Sequence, residues 1–469
     1  MYSPRQKILW FAFSTRCMNI LMQAVSNLIV PDHEANVFVS PEDPTLRRGN
    51  IDVAVDRLLG GFKRWDAQYF IHIAQYGYTY ENCLAFFPLF PMLVRYVAYM
   101  IHSILGAIIN YHSTLLISAL LLNTLMFVKS ADILHRLSLR VLKSESKAYK
   151  SAILYCVNPA SIFFSAPYSE TLFALMSFYT MLKCTENETL RFASIDITSA
   201  FPAGFSIIAR SNGLANLGFI IYASFKNVLE RTLPEIMYKY RTMKKRILIP
   251  FLCLPLFTSF VALVMTVIVA LIPFLLVQVY NYFKYCVPNE HNLPDFLSNT
   301  KYVLPGRADS PWCNNTLPLS YSYIQSHYWD VGLFKYYELK QIPNFLLATP
   351  ILFLVIYNCA SYIRHNKKLC LRLGILYYYS SYGYTCKVVN RSSHFHKGFG
   401  ANDPSLFVYI VHMLFLSLFC VGFVHIQVST RLLASASPVL YWICSSKMNP
   451  KVLMVVKLLF CILLHYKEF

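Results

Sequence analysis

The sequence predicts an all-α polytopic membrane protein, a single domain over 1–469. Three observations carry that expectation. Hydrophobic residues make up 56% of the chain and charged residues only 14%, with a mean hydropathy of +0.44. Soluble domains carry roughly 25% charged residues. The run 247–280 contains no charge, and about 20 apolar residues suffice to span a bilayer. Basic residues gather between apolar runs, in "HRLSLRVLKSESKAYK" (135–150), "KYRTMKKR" (239–246) and "RHNKKLCLR" (364–372). That is the distribution of loops held on the cytoplasmic side. It accounts for the net charge of +19 without nucleic acid.

In chain order, the N-terminus is basic and then apolar, with no small-residue cleavage site after a short apolar core. It reads as a retained first span with a cytoplasmic start. Candidate spans follow at 8–30, 86–108, 111–129, 149–166, 169–184, 193–208, 212–225, 247–280, 344–362, 404–427 and 451–466. That is about ten crossings, within about 8–12. Arg16, Asp196, Arg210 and Lys457 fall inside or beside these spans, and such residues face a bundle interior rather than lipid. The run 247–280 reaches ~51 Å as a helix, so it either passes beyond the bilayer or breaks at Pro250, Pro255 or Pro273.

Two long polar segments remain, 31–85 and 281–343. With the basic loops cytoplasmic, both fall on the opposite, lumenal side. Two full crossings between 86 and 129 would move 135–150 to the wrong side. Either 86–108, with Pro88 and Pro91, is partly re-entrant, or one short span is miscounted. Cys286 and Cys313 flank one polar segment; they form a disulfide in an oxidising lumen or stay as two free thiols. Sequons stand at Asn187, Asn314 and Asn390, of which only Asn314 lies in a lumenal segment. Segment 378–400 lacks apolar periodicity and reads as a cytoplasmic loop. No Walker A, HExxH, GxSxG or metal-ligand spacing occurs, so no cofactor or metal is expected.

The stretch "RWDAQYFIHIAQYGYTYENCLAFFPLFP" (64–91) carries the chemistry. Trp65, Tyr69, Phe70, Ile73 and Tyr76 recur near helical spacing, and Trp and Tyr favour a membrane interface. Glycines at 60, 61 and 77 let the chain turn at both ends. Asp66 heads the stretch. It is a candidate general base for an acceptor hydroxyl; a helix cap or an ion pair with Arg64 is the alternative. An enzyme that moves a sugar from a lipid-linked donor also needs cations for the departing phosphate. Arg210 in "ARSNG", Arg307 in "PGRAD" and Arg431 in "STRLL" are the candidates, Arg210 foremost for its Ser211 and Asn212 neighbours. His72 either contacts substrate or is a surface histidine. Tyr168 and Glu170 in "APYSE" border the site, or Glu170 caps a helix.

At this point the residues resemble a known family. "GGFKRWDAQYFIHIAQYGYTYENCLAFFPLFP" (60–91) is similar to the first lumenal loop of the phosphatidylinositol glycan class V family, the GPI mannosyltransferase 2 family. "IVPDHEA" (29–35), "NPASIFFSAPYSETLFAL" (158–175), "ARSNGL" (209–214), "PWCNNTLPLSYSYIQSHYWDVGLFKYYELKQIPNFLLATP" (311–350) and "STRLLASASPVLYW" (429–442) agree in the family's order. The resemblance weakens in the 225–246 and 364–400 loops and at the C-terminus.

The resemblance implies a GT-C-type glycosyltransferase of the endoplasmic reticulum membrane, with its active site in the lumen. It implies dolichyl-phosphate mannose as donor and a mannosyl-glucosaminyl-phosphatidylinositol as acceptor. The product is the second mannose of the GPI anchor, in α1,6 linkage. A small membrane partner subunit stays open. Trp65 and Asp66 match the family's functional loop pair, and Pro159 a second lumen-facing region. A β donor and an α product make the reaction inverting, so one base and no covalent intermediate suffice. Asp66 would be that base. The aromatic block around "YSYIQSHYWDVGLFKYYELK" would cap the lumenal side, stacking on sugars or simply packing.

Rival readings are a transporter, a non-catalytic subunit that binds lipid-linked sugar, and a sister GT-C enzyme. Arg16, Asp196 and Arg210 could line a transport path, but no inverted repeat is evident. The 311–350 block disfavours the sister enzyme.

Overall fold

The computed structural model describes residues 3–30, 37–187, 195–242, 249–289, 293–298, 302–375 and 403–447. Among them no strand occurs. The expected span 451–466 with Lys457, the loop 378–400, the sequon at Asn390 and most of "IVPDHEA" lie outside the described residues. Among the described residues, five helices are long and apolar enough to cross a membrane, over Pro4–Ile29, Tyr111–Leu142, Leu254–Tyr285, Leu339–His365 and Pro404–Phe423. Leu89–Leu105 and Ile197–Ile207 are apolar but shorter.

Helix α1 (Pro4–Ile29) starts at a capping box, Ser3 with Gln6, and Pro4 fits its first turn. Its Arg16, Asn19 and Gln23 are buried at helical spacing. Arg16 thus faces the interior, as its position within a span requires. Helix α2 (Asn50–Leu59) and α3 (Asp66–Tyr76) belong to the first polar segment. Gly77 ends α3 with φ +79° and returns its N–H to the Ile73 carbonyl at 2.9 Å, a conformation that favours glycine.

Helix α4 (Leu89–Leu105) covers the segment on which the parity question turns, and at 17 residues it is shorter than the long candidate spans. Before its start, the Phe86 carbonyl accepts from the Tyr78 hydroxyl at 2.7 Å. Beyond its end, Asn110 N–H donates to Asp52 at 3.0 Å. Arg95, midway, donates to the carbonyls of Ala74 and Ile73 at 2.6 and 3.0 Å. These contacts tie α4 to the first polar segment along its length, while the Leu89 N–H donates to the Ile208 carbonyl at 3.2 Å. Tyr96 and Tyr99 are exposed on it.

Helix α5 (Tyr111–Leu142) is the next helix long and apolar enough to cross and runs antiparallel to α1; Arg5 near the start of α1 grips buried Asp132 at 2.7 and 2.8 Å. At 32 residues α5 reaches ~48 Å. The expected basic loop 135–150 is thus partly helix: Arg136 and Arg140 lie in the last two turns of α5, where cations suit the helix dipole.

Next come α6 (Glu145–Cys156), α7 (Glu170–Asn187), α8 (Ile197–Ile207) and α9 (Leu217–Asn227). The expected spans 149–166, 193–208 and 212–225 differ from this. Helices α6, α8 and α9 have only 12, 11 and 11 residues, ~16–18 Å each. Hydropathy merges α6 with the irregular backbone that follows it, and α9 with the irregular backbone before it. Helices α6 and α7 join through 157–169; α8 and α9 join through 208–216. Interior side chains satisfy the first of these apices. Arg16 donates to the carbonyls of Ser161 and Cys156 at 2.7 and 3.2 Å, and Asn123 donates to the Tyr168 carbonyl at 3.2 Å. Non-helical backbone at such depth requires partners of this kind. In the second apex, a side chain at Gly213 would come within 2.4 Å of the Ser206 carbonyl, so only glycine fits there.

Helix α10 (Leu233–Thr242) leads to α11 (Ile249–Cys286). Pro255 and Pro273 lie inside α11 without ending it. Its 38 residues reach ~57 Å, so the long uncharged run extends rather than breaks. The second polar segment holds α12 (Asp295–Ser298) and α13 (Ser320–Trp329). It packs on the first through Tyr80, Tyr285, Trp312 and Ile324. Buried Glu81 accepts from Trp312 Nε1 and the Tyr328 hydroxyl, both at 2.8 Å, and from Ser310. Cys286 and Cys313 form a disulfide with Cα atoms 5.4 Å apart, and Asn314 beside it is exposed. The chain closes with α14 (Ile342–His365), α15 (Lys367–Leu371), α16 (Phe407–Phe423), α17 (Ser429–Ala436) and α18 (Val439–Lys447).

Candidate active site

Four charged side chains meet where the broken elements converge. Asp66 is the first residue of α3, and Trp65 before it occupies the cap position. Glu170 is the first residue of α7, at the end of the first apex. Both carboxylates sit where a helix N-terminus favours negative charge. Arg210 opens the second apex, and Arg431 lies in the first turn of α17.

The charges alternate. Arg431 Nη2 lies 2.8 Å from Asp66 Oδ2, and Arg431 Nη1 lies 3.4 Å from Glu170 Oε1. Arg210 Nη1 pairs with the same Glu170 oxygen. Side-chain exposure falls from 30% at Asp66 to 15% at Arg431 and 0% at Glu170. Burial opposes the charge of Arg431, but Asp66 and Glu170 outweigh it and hold the guanidinium above its ordinary range. Phe163 and Tyr168 lie beneath that guanidinium, 5.0 and 5.5 Å from their ring centres. The Tyr168 hydroxyl donates to the Arg64 carbonyl at 3.2 Å, which ties the approach to α3 against the first apex.

Asp66 Oδ2 is thus anchored, while Oδ1 accepts no hydrogen bond among the described residues. One oxygen is held and the other is available. Its ion pair is with Arg431, 365 residues away. Trp65 has φ +53° and ψ −129° with a half-exposed side chain. A non-glycine residue there costs of order 1–3 kcal/mol, and the anchored Asp66 fixes the residue that follows it. Near Arg210, Asn212 Nδ2 is shut off from solvent without an acceptor among the described residues. Ser211 is hydrogen-bonded to the Tyr321 hydroxyl of α13 at 2.7 Å, linking the second apex to the cap.

The structure gathers Asp66, Tyr168, Glu170 and Arg210, with Trp65 adjacent. Pro159 is half-buried in the first apex, just before the turn that carries Phe163. Exposed Arg307 has no part in the cluster. Arg431, weighed in the sequence only as one of three cations, is the central residue. Glu81 was not foreseen, because one acid in "ENC" carries no local signal.

His72 corrects an expectation. It is fully buried rather than on the surface. Its ring nitrogens meet Ser40 Oγ at 2.7 Å and Thr79 Oγ1 at 2.6 Å, with Phe38 and Tyr80 against the ring. Those neighbours belong to the cap cluster, not to the charged one. Burial drives the imidazole down to about 3, so it stays neutral when folded, whereas the unfolded chain takes up a proton below about 6.5. Stability from this group is complete above pH ~6.5 and is lost as pH falls toward 3. The expected loss is about 2 kcal/mol by pH 5. Unfolding of the solubilised protein at pH 7 and pH 5, beside His72→Gln, reads this difference. Equal acid sensitivity of the two proteins would rule it out.

The sequence pattern of the mannosyltransferase (PIG-V) family matches residues 5–458. The chain belongs to this family. It is 36% identical over 460 residues to "GPI mannosyltransferase 2" of Drosophila melanogaster, covering 97% of this chain and 93% of that protein. It is 38% identical to "GPI alpha-1,6-mannosyltransferase 2" of Cricetulus griseus, covering 94% and 83%. The human protein of that name is 35% identical, over 93% and 83%. No solved structure matches. The PIG-V mannosyltransferases are enzymes, and the charged cluster is the candidate centre of this one. Among the described residues no group of His, Cys, Asp and Glu could hold a metal ion.

Proposed function

We propose that the chain transfers mannose from dolichyl-phosphate mannose, in α1,6 linkage, to a mannosyl-glucosaminyl-phosphatidylinositol precursor, adding the second mannose of a GPI anchor. The relatives' printed names supply the linkage and the GPI context. The observation that carries the chemistry is Asp66, with Oδ2 pinned by Arg431 and Oδ1 available. In a single displacement, the acceptor 6-hydroxyl oxygen bonds to the mannose C1 as its proton passes to Asp66 Oδ1. The C1–O bond to phosphate breaks, and dolichyl phosphate leaves with the electron pair. Arg210 and the spare Nδ2 of Asn212 are the donors for that phosphate. Trp65, Tyr168, Glu170 and Pro159 border the substrates, and His72 supports the cap.

The reaction belongs on the lumenal side of the endoplasmic reticulum membrane. The charge distribution, which puts segments 31–85 and 281–343 opposite the basic loops, supports this reading, and the Cys286–Cys313 disulfide suits an oxidising compartment. A small membrane partner subunit remains compatible with this arrangement. The test is reconstitution in membranes that lack this transfer, with labelled dolichyl-phosphate mannose and the one-mannose acceptor. The expected product carries one added α1,6-mannose. No product, with the family's partners also supplied, would overturn the reading.

A further inference from the structure

Outside the charged cluster, one group of polar side chains remains that neither the fold nor the transfer step uses. Tyr336 stacks on His425, with ring centres 4.5 Å apart and planes 25° apart. Three carboxamides surround the Tyr336 hydroxyl. It lies 2.6 Å from Gln341 Oε1 and 3.3 Å from Gln427 Oε1, and accepts from Asn344 Nδ2 at 2.9 Å. The amide nitrogens of Gln341 and Gln427 donate to no protein group among the described residues. Gln427 is exposed, and Tyr336, Gln341 and Asn344 are half-buried. This is a neutral, donor-rich surface beside an aromatic stack.

Its place in the fold gives it meaning. Gln427 is four residues before Arg431, ~6 Å along a helix. His425 is hydrogen-bonded to the backbone of Trp329, whose ring centre lies 5.9 Å from those of both Tyr69 and Phe86, and Tyr69 is one turn beyond Asp66 on α3. The cluster therefore stands beside the elements that carry Arg431 and Asp66, which meet each other directly. Leu339, in the turn before α14, and Ile342, Leu346 and Phe353 along α14 are 86%, 50%, 69% and 67% exposed. Spare amides stand at the head of an apolar stripe that suits lipid chains.

We infer that Tyr336, Gln341, Asn344 and Gln427 form a subsite for the uncharged sugar hydroxyls of a lipid-linked acceptor, whose acyl chains run along the α14 stripe. Carboxamides both donate to and accept from hydroxyls, and a sugar placed there keeps its neighbouring reactive hydroxyl within reach of Asp66. The inference rests on the proposed transfer reaction and adds where the acceptor is read.

Kinetics of Gln427→Leu and Tyr336→Phe test it. Gln427 is exposed and its one side-chain hydrogen bond among the described residues is to the Tyr336 hydroxyl, while Tyr336→Phe keeps the ring on His425. The acceptor KM is expected to rise about fivefold or more in each, the size of one or two lost neutral hydrogen bonds. The donor KM and kcat stay within about twofold, a split that a general structural defect would not give. An active parent whose variants keep their acceptor KM, or lose donor and acceptor affinity together, overturns the subsite alone. A parent that transfers no mannose overturns the reaction and the subsite with it.

Discussion

Asp66→Asn lowers mannose transfer by about 10²–10⁴-fold, the usual contribution of a general base. Asparagine keeps the shape of aspartate, and its carbonyl oxygen can still accept from Arg431, which now contacts Oδ2 at 2.8 Å. What it loses is an oxygen able to take a proton. The fall therefore appears in kcat, with the KM of the donor nearly unchanged. The amount of folded protein should match the parent, because Asp66 is 30% exposed and its pair tolerates an amide. Transfer within a few fold of the parent would remove Asp66 from the role of base.

Glu170→Ala produces the second large effect, on folding rather than on one step. Glu170 is the shared counter-ion of Arg210 and Arg431 and is fully buried. Removing one partner of a buried pair costs about 3–5 kcal/mol, much of the ~5–15 kcal/mol that holds a domain together. The expected result is a steep drop in folded protein extracted from membranes. Glu170→Gln combined with Arg210→Gln removes opposite charges together, so it should recover much of that protein while transfer stays low. Glu170→Ala alone folding as well as the parent would show that the cluster is not held by this carboxylate.

The fold class was legible because hydropathy and charge placement act over whole segments. The long runs became α1, α5, α11, α14 and α16, and the uncharged run 247–280 stayed one helix. The short helices were not legible. A hydropathy window adds α6 to the apolar apex after it, and "SIFFSAP" looks like more of the same span. Only the partners of that apex, Arg16 and Asn123, reveal that its backbone is irregular, and they lie on α1 and α5.

The site divides in the same way. Asp66, Glu170 and Arg210 each stood beside a local oddity, an aromatic run or an apolar flank. Arg431 did not, since its meaning comes from an acid 365 residues away. His72 was misread because its burial depends on Phe38 and Ser40 from an earlier stretch and on the cap.

The two hairpins with irregular apices carry a consequence for biogenesis. A ribosome delivers segments to the membrane in order, and each is judged first by its own apolarity. Helix α6 carries Lys147 and Lys150 within 12 residues, and α7 begins with Glu170. Alone, the α6–α7 hairpin would expose these charges to lipid. Glu170 leaves the exit tunnel before Arg210, and Arg431 comes far behind both. The early acid must therefore wait, sheltered by α1 and α5 or by the insertion machinery, until its cations are made. Completion of this site is thus a late event of synthesis, and truncation before α17 leaves the nascent chain with an acid still lacking one of its two cations.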